Sequence, residues 1–245
     1  MKRTVLITGA SRGIGRAIAR RFAEGGDRLI LVCRNNLGLL EELREECLAL
    51  WDTQAFLFAG DLARKETVDD LFAQIAAAPC DWTPDVVINC AGISRIGLIQ
   101  DMSFEEWREI TDTNLTAAFS LIKAAIPGML AKGGGKILNI SSVWGCVGAS
   151  CEAAYSATKG GVNALTMALG KELAPSNIQV NAIACGCIDT EMNAFLSDED
   201  RAALLDEIPA GRMGTPEEVA HLAWQLTDGN AYLTSQVIRL DGGWI

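Results

Sequence analysis

Short apolar runs alternate with amphipathic stretches along most of the chain. Runs rich in β-branched residues, such as TVLIT at 4–8 and RLILVC at 28–33, have the length and composition of buried strands. The stretches between them, such as 15–26 and 37–51, repeat apolar residues every three or four positions, which is typical of helices packed on one face. Strands that alternate with helices predict a parallel sheet with helices on both faces.

The alternation predicts an α/β fold with a doubly wound, Rossmann-type parallel sheet of seven strands. The predicted strands cover 4–8, 28–33, 55–60, 85–92, 135–142, 178–185 and 236–243. The predicted helices cover 15–26, 37–51, 67–78, 104–130, 153–174 and 216–228. No linker or internal repeat divides the chain, so we expect one domain over residues 1–245, with a substrate-loop excursion at about 189–214.

Charge and hydropathy exclude several classes of partner. The 245 residues are 49% hydrophobic and carry a formal net charge of −10. A nucleic-acid partner is not expected, because nucleic-acid binding depends on basic patches. The longest apolar runs are shorter than the roughly 20 residues of a membrane span, and the N-terminus lacks the pattern of a signal peptide. We therefore expect a cytoplasmic protein without a membrane partner.

The cysteines and the histidine of this chain offer little for catalysis or metal binding. The eight cysteines form no CxxC pair, so we expect small buried hydrophobes in a reducing compartment. The single histidine, His221, falls within a predicted helix and is expected on its surface. With this one histidine expected on a helix surface, a Ser-His-Asp triad is not favoured and no metal site is expected. The acid or base of any reaction must therefore be another residue.

Three glycines, Gly9, Gly13 and Gly15, lie where the first strand turns into the first helix. At this edge of a doubly wound sheet, a helix N-terminus offers free N–H groups to a pyrophosphate. Glycines alone are a weak signal, because glycine also forms ordinary turns. Their place between a strand and a helix favours a dinucleotide site.

Two arginines favour NADPH over NADH. The second strand runs into Arg34, and no acidic residue follows before Glu41, although NAD sites usually place an acid there to bind the ribose. Arg12 lies inside the glycine loop itself. Two guanidinium groups suit a 2′-phosphate, which accepts charge-assisted hydrogen bonds. The alternative is that one of these arginines is simply solvated.

Tyr155 and Lys159 are candidates for acid–base chemistry. They are four residues apart on a predicted helix and therefore share a face. An ammonium beside a phenol stabilises phenolate, which predicts a Tyr155 pKa below its usual value of about 10 and a proton donor near neutral pH. The pair follows a predicted fifth strand that ends in Ser141 and Ser142.

Over its full length the chain resembles the short-chain dehydrogenase/reductase family. The resemblance rests on Thr8-Gly9-Ala10-Ser11-Arg12-Gly13-Ile14-Gly15, Asp61, Asn89-Cys90-Ala91-Gly92, Asn114, Ser142, Tyr155, Lys159 and the tail LDGGW. It implies that Tyr155 protonates a carbonyl oxygen, that Ser142 orients that oxygen, and that Lys159 contacts the nicotinamide ribose. It also implies that Asn114 holds a water of the proton relay and that hydride passes between nicotinamide and carbonyl carbon.

The resemblance also implies a set of NADPH contacts. These are expected from Gly9, Ser11, Arg12, Gly13, Ile14, Gly15, Arg34, Asp61, Leu62, Asn89, Ala91, Gly92, Tyr155, Lys159, Ile188 and Thr190. Two positions depart from the family pattern: Cys90 stands where asparagine is usual, and Cys185 where proline usually precedes glycine. The absent proline leaves one more free backbone dihedral beside the segment with Ile188 and Thr190.

Within the family, the motifs TGASRGIGRAIA and GRMGTPEEVA are most similar to bacterial 3-oxoacyl-acyl-carrier-protein reductases. Such reductases commonly present arginines to the acidic carrier. Here the corresponding regions contain Lys132 and Lys136 but no arginine, on a protein that is acidic overall. Reduction of a carrier-bound ketone is therefore one of two expectations for the substrate.

The second expectation rests on Glu152, three residues before Tyr155. With Ser142 and Tyr155 it is a candidate substrate contact, because a carboxylate there favours a cationic substrate. The segment resembles a subgroup that reduces a 5-aminopentanone group on elongation factor P. The alternative is that Glu152 caps its helix, where negative charge is favourable in any case.

Two further expectations concern turnover and assembly. A non-catalytic dinucleotide sensor is a minor alternative, since such proteins typically lose the tyrosine or the lysine. The family resemblance implies a homotetramer built through 104–130, 154–173 and the C-terminal VIRLDGGWI.

Overall fold

The computed structural model describes residues 2–194 and 196–245. Its seven strands form one sheet in the order β3-β2-β1-β4-β5-β6-β7, and every neighbouring pair is parallel. The strands are β1 (Thr4–Thr8), β2 (Arg28–Cys33), β3 (Ala55–Ala59), β4 (Val86–Asn89), β5 (Gly135–Ser142), β6 (Ile178–Cys185) and β7 (Val237–Leu240). The predicted seven-stranded, doubly wound sheet is confirmed.

Helices connect the strands and cover both faces of the sheet. They are α1 (Gly13–Glu24), α2 (Leu37–Trp51), α3 (Lys65–Ala77), α4 (Phe104–Thr111), α5 (Ala117–Lys132), α6 (Trp144–Val147), α7 (Ala153–Leu173), α8 (Asp198–Glu207) and α9 (Pro216–Thr227). Each parallel connection requires such a crossover, and all strands therefore end at the same edge of the sheet.

The core consists of two apolar layers, one on each face of the sheet. In β1, Val5 and Ile7 point into the layer formed with α1, α2 and α9, whereas Leu6 points into the layer with α3 and α5. All three side chains are fully buried. This two-residue period inside a continuously apolar strand is expected for a parallel sheet covered on both faces.

The predicted helix at 104–130 is interrupted. One turn of π-helix, Asp112–Thr116, separates α4 from α5 and carries Asn114 at its centre. Single π turns often occur at functional sites, because the extra residue re-aims a side chain. By length and composition the combined stretch Phe104–Lys132 could cross a membrane, but Leu121 and Ile122 are buried against the sheet.

The excursion after β6 contains little regular structure. Backbone hydrogen bonds join Asp189 to Gly214 and Gly214 to Cys187, so the two ends of the segment meet. Between them lie a short 3-10 turn, Glu191–Asn193, and the exposed helix α8. The excursion thus begins and ends beside the carboxyl end of β6.

Candidate active site

The glycine loop is folded too tightly for larger side chains. Gly9 has a φ of +67°, which favours glycine, and an added Cβ would lie 3.0 Å from Ala91 Cα. A Cβ on Gly15 would lie 2.2 Å from the Gly9 carbonyl oxygen. The start of α1 therefore packs directly against the end of β1, and its free N–H groups face the carboxyl edge of the sheet.

The ends of neighbouring strands are held beside this loop. The Thr8 hydroxyl oxygen accepts hydrogen bonds from the backbone N–H groups of Cys90 and Ala91, both at 3.0 Å. A Cβ on Gly13 would lie 3.6 Å from Thr190 Cγ2, so the loop after β6 closes the opposite side. The remaining predicted cofactor residues also lie at the carboxyl ends of strands. Ser11 and Ile14 follow β1, Asp61 and Leu62 follow β3, Asn89 ends β4 with Gly92 after it, and Ile188 follows β6.

Asn114 is buried and fully hydrogen-bonded. Its Nδ2 donates to the Ile93 carbonyl at 2.9 Å and to the Thr158 hydroxyl at 3.1 Å, while its Oδ1 accepts from the Ile93 N–H at 2.8 Å. These bonds connect the π turn, the loop after β4 and α7. Asn114, Thr8 and Lys159 also line a small cavity behind the strand ends.

Lys159 lies in the interior beside Gly92. Its Nζ donates to the Ile140 carbonyl at 2.9 Å, and a Cβ on Gly92 would lie 3.4 Å from that nitrogen. No carboxylate within the described ranges forms an ion pair with it. Burial consequently lowers the pKa of Lys159 below its usual value. An ammonium has three donors, so two remain for further acceptors.

The expected lowering of the Tyr155 pKa by Lys159 is wrong for this structure. Burial raises the pKa of Tyr155 instead, Cys185 and Glu152 add to the increase, and Ser142 opposes it. The Lys159 nitrogen lies 5.6 Å from the centre of the Tyr155 ring. Tyr155 therefore holds its proton firmly, as a proton donor must before the reaction.

Ser142 is the last residue of β5 and is buried. Its hydroxyl oxygen accepts a hydrogen bond of 3.2 Å from the Trp144 backbone N–H, which fixes the side chain at the strand end. The neighbouring strand places Cys185 directly opposite Ser142. The serine thus lies at the same edge as Tyr155 and Lys159, both carried by α7.

Glu152 does not cap α7 with its side chain. It is the residue before the helix, but its carboxylate makes no capping hydrogen bond. Its Oε2 instead accepts a hydrogen bond of 2.6 Å from the Ser94 hydroxyl. Its negative charge also contributes to the raised pKa of Tyr155.

Neither arginine is free of carboxylate partners. Arg12 Nη1 lies 2.9 Å from Glu191 Oε2. Arg34 Nη2 lies 3.2 Å from Asp61 Oδ2, and Arg34 Nη1 lies 3.4 Å from Glu109 Oε1. Both guanidinium groups nevertheless remain largely exposed, so the alternative of a solvated arginine stays open. An incoming phosphate would have to compete with these carboxylates for both guanidinium groups.

The two cysteines that depart from the family pattern lie close to Lys159. Burial raises the pKa of Cys90 and of Cys185 to about 12 in each case, and the Lys159 charge opposes the increase. Both are therefore neutral thiols at physiological pH. All eight cysteines lie among the described residues and are free. The same part of the chain contains no cluster of His, Cys, Asp or Glu side chains suited to a metal.

Comparisons with known proteins decide the family. A model of the short chain dehydrogenase family matches residues 3–201. The chain belongs to the short-chain dehydrogenase family. It is an NAD(P)-dependent oxidoreductase acting on CH–OH or C=O groups.

Two curated relatives match the dehydrogenase end to end. "Uncharacterized oxidoreductase YmfI" of Bacillus subtilis is 36% identical over 245 residues, covering 100% of this chain and 99% of the relative. The 3-oxoacyl-[acyl-carrier-protein] reductase FabG of Vibrio cholerae is 36% identical over 248 residues, covering 98% and 96%.

A solved structure has nearly the same fold as this chain. The L-sorbose reductase of Gluconobacter frateurii, complexed with NADPH and L-sorbose, has a TM-score of 0.92 at 28% identity, covering 100% of this chain and 97% of that one.

Several residues of this dehydrogenase site escape sequence reasoning. Ser94, Glu109 and Glu191 each pair with a predicted site residue, yet each comes from a loop or helix distant in sequence. Thr158 could have been predicted from the sequence, because it follows Tyr155 by three residues on the same predicted helix. Its hydroxyl donates a hydrogen bond to the Tyr155 carbonyl at 2.8 Å.

Proposed function

We propose that this dehydrogenase is an NADPH-dependent reductase that converts a ketone to a secondary alcohol. The observation that carries the proposal is the convergence of Ser142, Tyr155 and Lys159 beside the glycine loop. The loop fits a dinucleotide, because Gly9 and Gly15 keep the cradle clear where a Cβ would fill it. NADPH, when bound, supplies the hydride that the carbonyl carbon accepts.

The chain's own residues supply the proton and hold the carbonyl. Tyr155 donates its proton to the carbonyl oxygen as charge develops there, and it carries that proton at neutral pH because burial raises its pKa. The Ser142 hydroxyl donates a hydrogen bond to the same oxygen. The two remaining N–H donors of Lys159 suit the hydroxyls of a ribose, and the cavity between Thr8 and Asn114 suits a relay water.

The choice of NADPH rests on Arg12 and Arg34, which carry the only positive charge proposed at the 2′-phosphate. Both retain charge at any physiological pH and can release their surface carboxylates at modest cost, since the pairs with Glu191 and Glu109 are exposed. NADPH in the L-sorbose reductase complex supports the same choice.

For the substrate we propose a ketone of the 3-oxoacyl type, as the name of the Vibrio cholerae relative supports. Docking of an acidic carrier at Lys132 and Lys136 is not favoured. Lys132 is paired with Asp85 at 2.9 Å, and Lys136 donates to the Asn230 carbonyl at 2.6 Å. A carrier would have to displace both contacts.

The second candidate is the 5-aminopentanone group on elongation factor P. A specific observation favours it: the Glu152 carboxylate is held by Ser94, makes no side-chain cap for α7, and its charge contributes to the raised pKa of Tyr155. A carboxylate in that place stabilises an ammonium on the substrate. In both cases the substrate is a ketone on a protein, and eight free thiols support the proposed location in a reducing cytoplasm.

Turnover of NADPH by the purified protein tests the proposal. A 3-oxoacyl thioester and a short ketone with a terminal amine are each supplied to the wild type and to Tyr155→Phe. We expect the wild type to oxidise NADPH with one of them, and the variant to bind NADPH but lose turnover. Equal turnover by the variant would reject Tyr155 as the acid, and NADPH binding without turnover of any ketone would favour a sensor.

A further inference from the structure

The C-terminal tail lies against the end of β6 beside the catalytic edge. Cys185 pairs with Ser142 on one side and with Leu240 on the other, so β6 separates the serine from the start of the tail. A Cβ on Gly186 would lie 2.7 Å from Asp241 Cα. Glycine at 186 therefore permits the tail to pass directly over the end of β6.

Asp241 then turns the tail back on itself. Its carboxylate accepts hydrogen bonds from the backbone N–H groups of Gly243 at 3.0 Å and Ile245 at 3.2 Å. The Arg239 guanidinium donates to the Ile245 carbonyl at 2.6 Å and holds the end of the chain. The turn brings Trp244 back toward the carboxyl edge of β5.

Trp244 connects the catalytic strand to the excursion after β6. Its ring meets that of Trp144 edge-on, with 4.8 Å between centroids. Trp144 is two residues beyond Ser142 and donates its backbone N–H to that hydroxyl. On its other side, the Trp244 indole N–H donates to Glu207 Oε2 at 3.3 Å, at the end of α8.

Both indoles remain partly exposed, which distinguishes them from core residues. Trp144 begins α6 two residues beyond Ser142, and Trp244 packs against it and is held by Glu207. These two flat apolar surfaces are suited to contact the part of a substrate that extends beyond its carbonyl. The Gly242 carbonyl also accepts a hydrogen bond of 3.1 Å from the Ala210 N–H, which joins the tail to the segment after α8.

We propose that Trp144 and Trp244 form the wall of the substrate site beyond the reacting carbonyl, and that Trp244 determines specificity by admitting slim, unbranched ketones. The inference rests on the proposed reductase function, because it takes Ser142 as the residue that holds the carbonyl. It assigns a role in substrate selection to the penultimate residue of the chain.

The test compares ethyl acetoacetate with ethyl benzoylacetate, which present the same 3-oxo ester with a methyl or a phenyl group. In Trp244→Ala the ratio of kcat/KM values should shift at least tenfold toward the phenyl ester, through KM rather than kcat, with NADPH affinity unchanged. Trp244→Phe should stay within threefold of the wild type, and Trp51→Phe, at the distant end of α2, serves as the control.

The contact with Glu207 supplies a second pair of variants if Trp244→Ala does not fold. Glu207→Ala removes the acceptor of the indole N–H and should shift the ratio in the same direction. Glu207→Gln keeps an acceptor oxygen and should not. A ratio within twofold of the wild type in every folded variant would overturn the proposal.

Binding is followed separately, so that failure of the reductase function can be recognised. In the Tyr155→Phe background, ethyl benzoylacetate should change tryptophan emission, and the change should disappear when Trp144 and Trp244 are both replaced by Phe but persist with Trp51→Phe. If this emission change is seen but the wild type reduces no ketone, the proposed wall stands and the reductase function is rejected. A change that persists after both indoles are replaced, or no change at all, would reject the wall.

Discussion

The Ser94 hydroxyl donates a hydrogen bond of 2.6 Å to Glu152 Oε2, across the gap between the loop after β4 and the start of α7. A second bond, from the Gly97 N–H to the Cys151 carbonyl at 2.8 Å, joins the same two segments. Together these bonds hold the Glu152 carboxylate toward the loop after β4 instead of over the free N–H groups of α7. The carboxylate therefore does not act as the side-chain cap of α7.

We expect Glu152→Gln to reduce kcat/KM for a ketone with a terminal amine by roughly tenfold or more, because a hydrogen bond to a charged partner is worth about 1.5–3 kcal/mol. Activity on a 3-oxoacyl thioester should be unchanged. The measurement is steady-state NADPH oxidation with each ketone. Glu172→Gln, exposed near the other end of α7, is the matched control. An equal loss on both ketones would contradict selection by charge.

Cofactor choice should depend on the balance between Arg34 and Glu109. Arg34→Ala should raise the Kd of NADPH roughly tenfold or more and leave that of NADH nearly unchanged, since only NADPH carries the 2′-phosphate. Glu109→Gln removes a competitor for the guanidinium, 3.4 Å away, and should tighten NADPH binding. Nicotinamide fluorescence titrations measure both affinities. Parallel losses for NADPH and NADH would show that Arg34 does not recognise the phosphate.

Arg20→Ala controls for the loss of a positive charge elsewhere. Arg20 lies on α1 and pairs with Glu46 at 2.8 Å, away from the glycine loop. Its replacement should leave both cofactor affinities unchanged.

Two glycine substitutions should have opposite effects on stability. Gly15→Ala places a Cβ 2.2 Å from the Gly9 carbonyl oxygen, and we expect it to destabilise the protein by about 1–3 kcal/mol and to weaken NADPH binding. Gly38 lies inside α2 with open space around it, so Gly38→Ala should stabilise by about 0.5–1 kcal/mol. Urea unfolding gives both values. A neutral Gly15→Ala would mean that the loop has room to relax.

The alkaline titration of Tyr155 follows from its burial. Burial disfavours phenolate and raises the pKa, so the ligand-free protein should keep Tyr155 protonated through pH 10. The chain has two tyrosines, and Tyr232 is fully exposed, so a Tyr232→Phe variant leaves Tyr155 as the only source of tyrosinate absorbance. Tyrosinate absorbance from this variant below pH 9 would contradict the raised pKa. The double variant with Tyr155→Phe gives the baseline.

Local patterns in the sequence suffice for the sheet. β5 and β6 are bounded as their apolar runs predict, at Gly135–Ser142 and Ile178–Cys185, because a strand buried on both faces needs an unbroken apolar run. The break in the helix at 104–130 was not predicted. The π turn at Asp112–Thr116 depends on the hydrogen bonds that Asn114 makes with Ile93 and Thr158, and these contacts are distant in sequence.

The candidate site is likewise predicted from the sequence only in part. Ser142 lies at a strand end, and Tyr155 and Lys159 lie on one helix face, where periodicity alone can align them. Asn114 instead lies on the π turn. Their electrostatics depend on burial, which explains why the Tyr155 pKa moves opposite to the direction expected from Lys159 alone. The carboxylate partners of Arg12 and Arg34 come from other elements, so only the folded chain reveals them.

Assembly provides the last prediction. Phe104 is 80% exposed and Phe119 49% exposed, on α4 and α5, and Met167 is 43% exposed on α7, which is more apolar surface than these helices need alone. We expect a homotetramer through these helices, so light scattering should give four times the 26.2 kDa of one chain. Phe119→Arg should lower the mass, because a buried unpaired charge opposes association. Tyr232→Ser, at a fully exposed position elsewhere, should not. A wild-type mass of one chain would leave these side chains in solvent and reject the tetramer.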